Sequence, residues 1–351
     1  MAEAPRSALL AESGREPAPT PENILAASAA LSGIANITPV FTSRTLDALV
    51  GANVYLKAES LQRSGSFKFR GAFTKIHSLD ADARRRGVVT ASSGNHGQAV
   101  ALAARELGAP ALVFVPTDAS RVKQEAIRAY GADVVHYERE TDDREALVDA
   151  IVNSRGLTYV AAYDDPVVIS GQGTVAVELV DQIPRQPDML IVPVGGGSLI
   201  SGTGTYLDHV SPRTQIVGVE PAAGNDAHLS LRAGKRVTIP IPTTVADGLR
   251  LPTPGRLTFS IMSRLVDDIV LVSETQIARA VRFALLRLKL LVEPSGAVAL
   301  AALLSGRVDV RGLCVAAVVT GGNVDPQVLS QLVARSEASA PDTDLTQERK
   351  G

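Results

Sequence analysis

The chain has 351 residues, of which 45% are hydrophobic and 21% charged, and its formal net charge is −2. This balance indicates a globular protein with a large core rather than a disordered chain. The small net charge, the 4% aromatic content and the lack of tryptophan argue against nucleic-acid binding, and the single cysteine excludes a disulfide framework or a cysteine zinc site within one chain.

The first predicted elements lead to one unusual lysine. Residues 1–19 have no periodicity and predict a disordered start, and Thr20 followed by Pro21 predicts the N-terminus of a helix. A strand predicted at 54–57 then delivers the chain to a stretch in which Lys68 lies between two phenylalanines. Burial would disfavour the ammonium form and leave an amine able to attack a carbonyl, whereas a lysine at a helix start can also lay its stem over apolar surface.

Strands and helices alternate along most of the chain. The pattern predicts strands at 88–91, 111–115, 133–137, 158–161, 189–193, 215–219 and 313–319, and helices at 69–78, 98–107, 120–130, 142–154, 174–182, 199–208 and 274–291. Short connections between such elements are typical of parallel crossover units, so the sequence predicts an α/β fold with mostly parallel sheets. Residues 336–351 are polar and predict a flexible tail.

Two loops rich in glycine and serine each follow a predicted strand and precede a predicted helix. The first, at 92–97, is Ser-Ser-Gly-Asn-His-Gly, and the second, at 195–198, is Gly-Gly-Gly-Ser. A helix N-terminus binds anions because it carries unpaired N–H groups and the positive end of the dipole. Two such loops and a sheltered lysine indicate a cofactor phosphate and an anionic substrate. A further glycine pattern at 171–176 fits a dinucleotide fingerprint only weakly, because no acidic residue ends a strand about 20 residues later.

Seven short motifs carry a resemblance to a known family. They stand at 66–72, 92–97, 171–174, 193–198, 246–248, 291–294 and 320–323. In this order they resemble the fold type II pyridoxal-phosphate enzymes, and among them the threonine/serine dehydratase and serine racemase family, over residues from about 38 to 325. The resemblance implies a tryptophan-synthase-β-like architecture of two parallel-type α/β domains. A small domain of residues 84–160 would be inserted in a large pyridoxal-phosphate-binding domain of 20–83 and 161–335.

The resemblance also implies which residues bind the cofactor, pyridoxal 5′-phosphate. Lys68 would form the Schiff base and then remove the α-proton of the substrate, and Asn95 would hydrogen-bond the phenolic oxygen. Thr320 would face the pyridine nitrogen with a neutral hydroxyl, which favours loss of a β-substituent. The phosphate would be held by Gly195, Gly196, Gly197, Ser198 and Leu199, and the other cofactor-binding residues would be Phe67, Gly248 and Glu293.

The loop after the first small-domain strand would bind the substrate. By resemblance, its carboxylate would meet Ser92, Ser93, Gly94, Asn95 and His96. Ser93 is either a second acid/base that permits racemisation or a group that only binds the carboxylate. His96 belongs to the motif but is open to a second interpretation, as a structural histidine.

Glu220, Gly224 and Asp226 form a candidate cation site. Two carboxylates and a backbone carbonyl are hard oxygen ligands, suited to Mg²⁺, Mn²⁺ or Ca²⁺. A strand-end carboxylate and an N-cap aspartate explain the same residues without a metal. The resemblance favours the cation, because serine racemases and some dehydratases bind one through residues at this spacing.

Taken together, the resemblance implies a dehydratase, or ammonia-lyase, that converts L-threonine or L-serine to 2-oxobutanoate or pyruvate and ammonia. The alternatives are a serine racemase with dehydratase side activity and a dehydratase for 3-hydroxyaspartate or another hydroxyamino acid. A non-catalytic binding protein is less consistent with the sequence, because it would not need Lys68. Relatives imply a homodimer or homotetramer. We expect a cytoplasmic protein without a membrane segment, because the N-terminus has no secretory-signal pattern and the apolar runs are too short to cross a bilayer.

Overall fold

The computed structural model of the chain describes residues 17–119, 121–138 and 141–338. The predictions made for residues 1–16 and 339–351 therefore lie outside the described residues. Within them, ten strands form two sheets. The strands are β1 (Val40–Phe41), β2 (Asn53–Ala58), β3 (Val88–Ala91), β4 (Ala111–Pro116), β5 (Asp133–Tyr137), β6 (Thr158–Tyr159), β7 (Met189–Pro193), β8 (Gln215–Pro221), β9 (Asp268–Val272) and β10 (Cys314–Val319).

Helices connect and cover these strands. They are α1 (Pro21–Leu31), α2 (Arg44–Val50), α3 (Lys68–His77), α4 (Ala81–Arg86), α5 (Asn95–Glu106), α6 (Arg121–Ala129), α7 (Arg144–Arg155), α8 (Pro166–Gln182), α9 (Ser198–Val210), α10 (Asp226–Ala233), α11 (Arg256–Leu265), α12 (Glu274–Phe283), α13 (Pro294–Leu304) and α14 (Pro326–Ala338). Helix α1 begins as predicted, because Thr20 caps it in a reciprocal capping box with Asn23. None of the helices in the described part of the chain has both the length and the hydropathy of a bilayer-spanning segment.

The two sheets have the topology of a parallel α/β protein. The larger sheet has the order β1-β2-β10-β7-β8-β9, and its neighbours are parallel except for β1 and β2. The smaller sheet has four parallel strands in the order β5-β4-β3-β6. The predicted fold class is confirmed. All four strands of the smaller sheet lie within the predicted small domain, 84–160, whose boundaries stay a prediction.

The core of the larger sheet lies on both of its faces. All six residues of β10 are buried, including the lone cysteine, Cys314. Val315 faces a cluster that includes Val298 of α13, whereas the next residue, Ala316, faces a cluster that includes Leu179 of α8. Helices on both faces explain why this strand is a continuous apolar run rather than an alternating one.

The parallel topology brings the motif-bearing loops together. Strands β2, β10 and β7 are adjacent and parallel, so their carboxyl ends lie at one edge of the sheet. The chain continues from β2 toward Lys68, from β10 to Thr320 and from β7 into the glycine loop at 195–197. In the smaller sheet, β3 leads into the loop at 92–97.

The long helix predicted over 274–291 is interrupted. Helix α12 ends at Phe283, a π-helical turn follows at Ala284–Leu288, and Lys289 has a φ of 59°. A left-handed residue stops a helix. The apolar pattern continues beyond this point because Leu290 and Val292 are buried although they lie outside the helix.

The glycine pattern at 171–176 lies inside α8, which begins at Pro166 rather than at 174. A Cβ on Gly171 would lie 2.7 Å from the Cα of Gly71 in α3, and a Cβ on Gly173 would lie 2.9 Å from the carbonyl oxygen of Gly202 in α9. These glycines therefore allow close packing between helices, and they do not form a loop that could hold a dinucleotide.

Candidate active site

Lys68 is the first residue of α3, and its amine is sheltered. Its Nζ donates a hydrogen bond to the carbonyl oxygen of Ala162 at 2.6 Å and lies 5.1 Å from the centre of the Phe67 ring. Burial lowers the pKa of this amine to about 8. The sequence left two interpretations of this lysine open: a desolvated amine, or a charged amine in water at the end of a stem that covers apolar surface. The hydrogen bond to Ala162 and the lowered pKa favour the desolvated amine.

The loop before Lys68 is fixed by the loop after β10. Ser66 and Gly321 pair as an isolated antiparallel bridge, and the N–H of Phe67 donates to the carbonyl oxygen of Thr320 at 3.1 Å. The side chain of Thr320 is itself buried. Two motifs more than 250 residues apart in the chain are therefore one local structure.

Helix α5 offers a free N-terminus beside this structure. It begins at Asn95 without a side-chain cap, so its first N–H groups are available to an anion. Ser92, Ser93 and Gly94 precede it and are half-buried, and the Oγ of Ser92 accepts a hydrogen bond from the N–H of Gly94 at 3.3 Å. The geometry fits a loop that binds a carboxylate.

His96 differs from the other residues of this loop, because it is buried. Its Nε2 lies 3.0 Å from the carbonyl oxygen of Val160. Burial, together with the nearby charge of Lys68, lowers the pKa of His96 to about 3. A neutral imidazole bonded to the backbone fixes the first turn of α5, which supports the structural interpretation of this histidine.

A second free helix N-terminus follows β7. Gly197 has a φ of 90°, a conformation that favours glycine, and the next two residues, Ser198 and Leu199, form the buried first turn of α9. A Cβ on Gly196 would lie 2.1 Å from the ring of Tyr163. The loop therefore passes directly against the ring of Tyr163. Tyr163 follows Ala162, whose carbonyl oxygen accepts the hydrogen bond from the amine of Lys68.

The carboxamide of Asn95 lies between two polar side chains. Its Nδ2 donates to Oε1 of Glu293 at 2.6 Å, and its Oδ1 accepts from Nδ2 of Asn323 at 2.9 Å. Burial, reinforced by the charge of Asp247, raises the pKa of Glu293 to about 8. This acid is therefore largely neutral at pH 7.

Residues from the two sheets also meet near Gly248. The N–H of Gly248 donates to Oγ of Ser295 at 2.9 Å. The preceding residue, Asp247, forms an ion pair with Lys123 of α6, which packs on the smaller sheet. The contact joins the two halves of the molecule beside Glu293.

The structure thus brings together most of the predicted cofactor and substrate residues. Contacts link the residues just before Lys68 to the loop after β10, Asn95 to Glu293, and the 195–197 loop to Tyr163, which follows the residue bonded to the amine. Sequence reasoning missed Ala162 and Tyr163, for which the sequence carries no local signal. It gave no role to Asn323, although this residue lies in a matched motif.

The candidate cation residues form a separate buried cluster. Oε1 and Oε2 of Glu220 accept hydrogen bonds from the N–H groups of Ala227 and His228 at 3.2 and 2.8 Å, and Oδ2 of Asp226 is buried without a hydrogen-bond partner. Burial raises the pKa of both carboxyl groups, that of Asp226 to about 7, and Asp226 further raises the pKa of Glu220. Helix α10 begins at Asp226, so Asn225 and not Asp226 is its N-cap. Gly224 is buried in the turn between them.

The fold and the site are typical of one class of protein: an α/β enzyme with a half-buried lysine amine and two uncapped helix N-termini that follow strands of its parallel sheets. Residues 31–321 match the family model described as "Pyridoxal-phosphate dependent enzyme", and the chain belongs to this family. The resemblance seen in the motifs is confirmed.

Similar proteins narrow the activity to one group. The chain is 46% identical over 311 residues to an L-threo-3-hydroxyaspartate ammonia-lyase of Pseudomonas sp, covering 89% of this chain and 97% of that protein. It is 43% identical over 304 residues to an L-threonine ammonia-lyase of Geobacter sulfurreducens, covering 86% and 75%. The structure of maize serine racemase matches with a TM-score of 0.86 at 37% identity, covering 92% and 99%. The protein is therefore a pyridoxal-phosphate-dependent enzyme of the ammonia-lyase and racemase group.

Proposed function

We propose that this enzyme is an ammonia-lyase for small 3-hydroxy-L-amino acids, with L-threo-3-hydroxyaspartate as the first candidate substrate and L-serine and L-threonine as the next. The observation that carries the reaction type is the sheltered amine of Lys68, with its pKa of about 8, in a protein with two helix N-termini that lack side-chain caps. The 46% identity to the Pseudomonas enzyme supports the order of the substrates. The products would be a 2-oxoacid and ammonia.

The residues present fit pyridoxal phosphate. When bound, this cofactor withdraws electrons from the α-carbon of an attached amino acid. Gly196 and Gly197 would bring backbone N–H groups close to the phosphate. The loop needs glycine there because a Cβ on Gly196 would lie 2.1 Å from the Tyr163 ring and one on Gly197 would lie 3.0 Å from Met262. The remaining phosphate contacts would come from Gly195, Ser198 and Leu199. Phe67, Gly248 and Glu293 would border the ring.

Three side chains would do the chemistry. Lys68 would hold the cofactor and then remove the α-proton, because a pKa of about 8 leaves a usable neutral fraction near pH 7. Asn95 would donate a hydrogen bond to the phenolic oxygen. Thr320 would offer the ring nitrogen a neutral hydroxyl, and weak electron withdrawal favours prompt loss of the β-hydroxyl as water.

The free N-terminus of α5 would bind the substrate carboxylate. The N–H groups that follow Ser92, Ser93 and Gly94 would donate to it, and the helix dipole would add to the attraction. This contact holds the α-proton in a fixed direction, and His96 would act by supporting the turn from behind.

A panel of hydroxyamino acids tests this function. The purified enzyme with added pyridoxal phosphate is given each of the three candidate substrates, and the 2-oxoacid and the D-isomer are both measured. We expect Lys68→Ala to lower 2-oxoacid formation by at least about 10³-fold. Lys235→Ala, at an exposed lysine, is the matched control. Substantial turnover in Lys68→Ala would show that the site is wrongly assigned.

A serine racemase is the second candidate, favoured by the close match to the maize enzyme. Ser93 is half-buried at the free end of α5, where a hydroxyl could return a proton to the second face of the substrate. In that case Ser93→Ala will suppress D-serine formation far more than elimination from L-serine. An equal loss of both activities would leave Ser93 with a binding role alone.

We also propose a divalent cation, Mg²⁺, Mn²⁺ or Ca²⁺, held by Glu220, Asp226 and the carbonyl group of Gly224. Support comes from the unpartnered, buried Oδ2 of Asp226 and from two carboxyl groups whose pKa values are raised in its absence. In the described part of the chain no group of three or more His, Cys, Asp or Glu side chains could hold a metal, so water and backbone oxygens would complete the shell. A homo-oligomer and a cytoplasmic location stay predictions.

A further inference from the structure

We propose that Asn323 is a positioning residue that fixes the orientation of the Asn95 carboxamide and, with the same nitrogen atom, the turn that precedes Lys68. This role rests on the proposed function, because it concerns the site in which Asn95 would meet the cofactor. It assigns a task to a residue whose side chain donates to Ser64 and Asn95, whereas the amine of Lys68 donates to Ala162.

A backbone carbonyl group determines which atoms donate and which accept in this series of hydrogen bonds. The oxygen of Ser64 can only accept, and Nδ2 of Asn323 donates to it at 2.7 Å. The second hydrogen of the same nitrogen is donated to Oδ1 of Asn95 at 2.9 Å. Reversing the Asn323 amide would set two oxygen atoms against each other at Ser64, so its orientation is determined.

The orientation of Asn95 follows from that of Asn323. Because Oδ1 of Asn95 is taken by Asn323, Nδ2 is the atom that faces Glu293, and it donates to Oε1 at 2.6 Å. Nδ2 carries two hydrogens, and one of them is left for a further acceptor. The series of hydrogen bonds from Ser64 to Glu293 therefore makes Asn95 present an N–H donor, and not an oxygen atom, to the phenolic oxygen of the cofactor.

Two glycines leave the space that this chain of hydrogen bonds occupies. A Cβ on Gly65 would lie 2.3 Å from Oδ1 of Asn323, and a Cβ on Gly321 would lie 2.1 Å from Oε1 of Glu293. Gly65 lies in the loop before Lys68, and Gly321 lies in the loop after β10 that pairs with it. Close packing against these two glycines therefore holds the side chains of Asn323 and Glu293 in place.

The bond to Ser64 also holds a sparsely populated backbone conformation. Ser64 has a φ of 57°, which residues with a Cβ adopt rarely, and it lies four residues before Lys68. Asn95 follows a strand of the smaller sheet, whereas Ser64 and Asn323 follow strands of the larger one. One nitrogen atom thus couples the lysine loop to the helix that would bind the substrate.

A double-mutant cycle tests this role. Asn323→Ala, Asn95→Ala and the double variant are compared with the wild type, each with added pyridoxal phosphate. We expect Asn323→Ala to lower kcat by about 10-fold or more while KM changes little, and to lose most of this effect in the Asn95→Ala background. Asn53→Ala, at an exposed asparagine, is the control and should leave kcat unchanged.

Two further readouts separate positioning from simple stability. The visible absorbance of the bound cofactor, followed against pH, should shift its midpoint in Asn323→Ala and in Asn95→Ala by a similar amount. Urea unfolding of the cofactor-free proteins should show that the effects of the two single substitutions on stability are not additive, as expected for residues in contact.

The outcomes distinguish this role from the proposed function. A wild-type enzyme that acquires no lysine-dependent visible absorbance with pyridoxal phosphate would overturn the proposed function and this role with it. If the wild type acquires it and Asn323→Ala lowers kcat by the same factor with and without Asn95, the proposed function stands and the positioning of Asn95 by Asn323 is refuted. An unchanged pH midpoint in Asn323→Ala would also refute it.

Discussion

At the residue scale, burial favours the neutral form of both a base, Lys68, and an acid, Glu293. It lowers the pKa of Lys68 to about 8 and raises the pKa of Glu293 to about 8. In each group the neutral form gains, because a low dielectric penalises charge of either sign. The protein therefore holds an amine that gives up its proton readily and a carboxylic acid that keeps its own.

We expect Glu293→Gln to change how the stability of the cofactor-free protein depends on pH. The pKa of Glu293 rises from 4.5 to about 8 on folding, so the unfolded chain releases a proton between these values while the native protein retains it. The stability that neutral Glu293 contributes is therefore lost as pH rises through this range, by at most about 1.4 kcal/mol per pH unit.

Urea unfolding of wild type and Glu293→Gln at pH 5, 6, 7 and 8 measures this effect. The wild type should lose stability relative to the variant as pH rises. Asp247 and Lys123, the charged groups that act on Glu293, remain in both proteins, as do Glu220 and Asp226, so the difference isolates Glu293. A difference that stays constant with pH would contradict a neutral Glu293.

At the element scale, the turn from β8 to α10 places the carboxyl groups of Glu220 and Asp226 in one buried cluster. Glu220 binds the first N–H groups of α10, and Asp226 is the first residue of that helix. Without a cation, burial raises the pKa of both carboxyl groups, and the neighbouring Asp226 further raises that of Glu220. A divalent cation would reverse this effect and brace the turn between strand and helix.

We therefore expect chelation by EDTA to lower thermal stability and activity together, with Mg²⁺, Mn²⁺ or Ca²⁺ restoring both. The cation stabilises the folded protein in proportion to the logarithm of its concentration over its Kd, and it binds more tightly as pH rises because it displaces protons. Asp226→Asn should lose the response to EDTA, whereas Asp208→Asn, at an exposed aspartate, should keep it. A wild-type enzyme that EDTA leaves unchanged would exclude the cation.

At the scale of the whole molecule, an ion cluster joins segments that are distant in the chain. Arg70 of α3 donates to Glu59 at 2.8 Å, and it donates to Glu178 of α8 at 2.6 Å. Lys57 of β2 also donates to Glu178, at 2.5 Å. Arg70 lies two residues after Lys68, so the cluster anchors the helix that begins with Lys68.

Arg70→Met tests how much this cluster contributes. It removes one partner and leaves Glu59, which is fully buried, without its arginine, and we expect a loss of about 3–5 kcal/mol of unfolding free energy. Arg85→Met is the matched control, because Arg85 and Asp82 are more than two-thirds exposed and such a pair contributes less than about 1 kcal/mol. Equal losses in the two variants would mean that the buried cluster does not anchor α3.

The sequence by itself determined the fold class and the family, and it predicted two anion-binding loops and a reactive lysine. These features are local: a strand, a glycine-containing loop and a helix start lie within about ten residues, and their physical meaning depends on backbone N–H groups and on apolar neighbours. The sequence could not separate a true loop from the glycines at 171–176, because glycine serves close helix packing as well as tight turns.

Only the tertiary structure decided which side chains meet. Asn95 contacts Glu293 and Asn323, which are 198 and 228 residues away, and Lys68 bonds to a carbonyl group 94 residues away. No pattern along the chain records these contacts, because they arise where the carboxyl ends of parallel strands from different parts of the chain converge. The raised or lowered pKa values of the site follow for the same reason, since burial is a property of the packed molecule and not of any one segment.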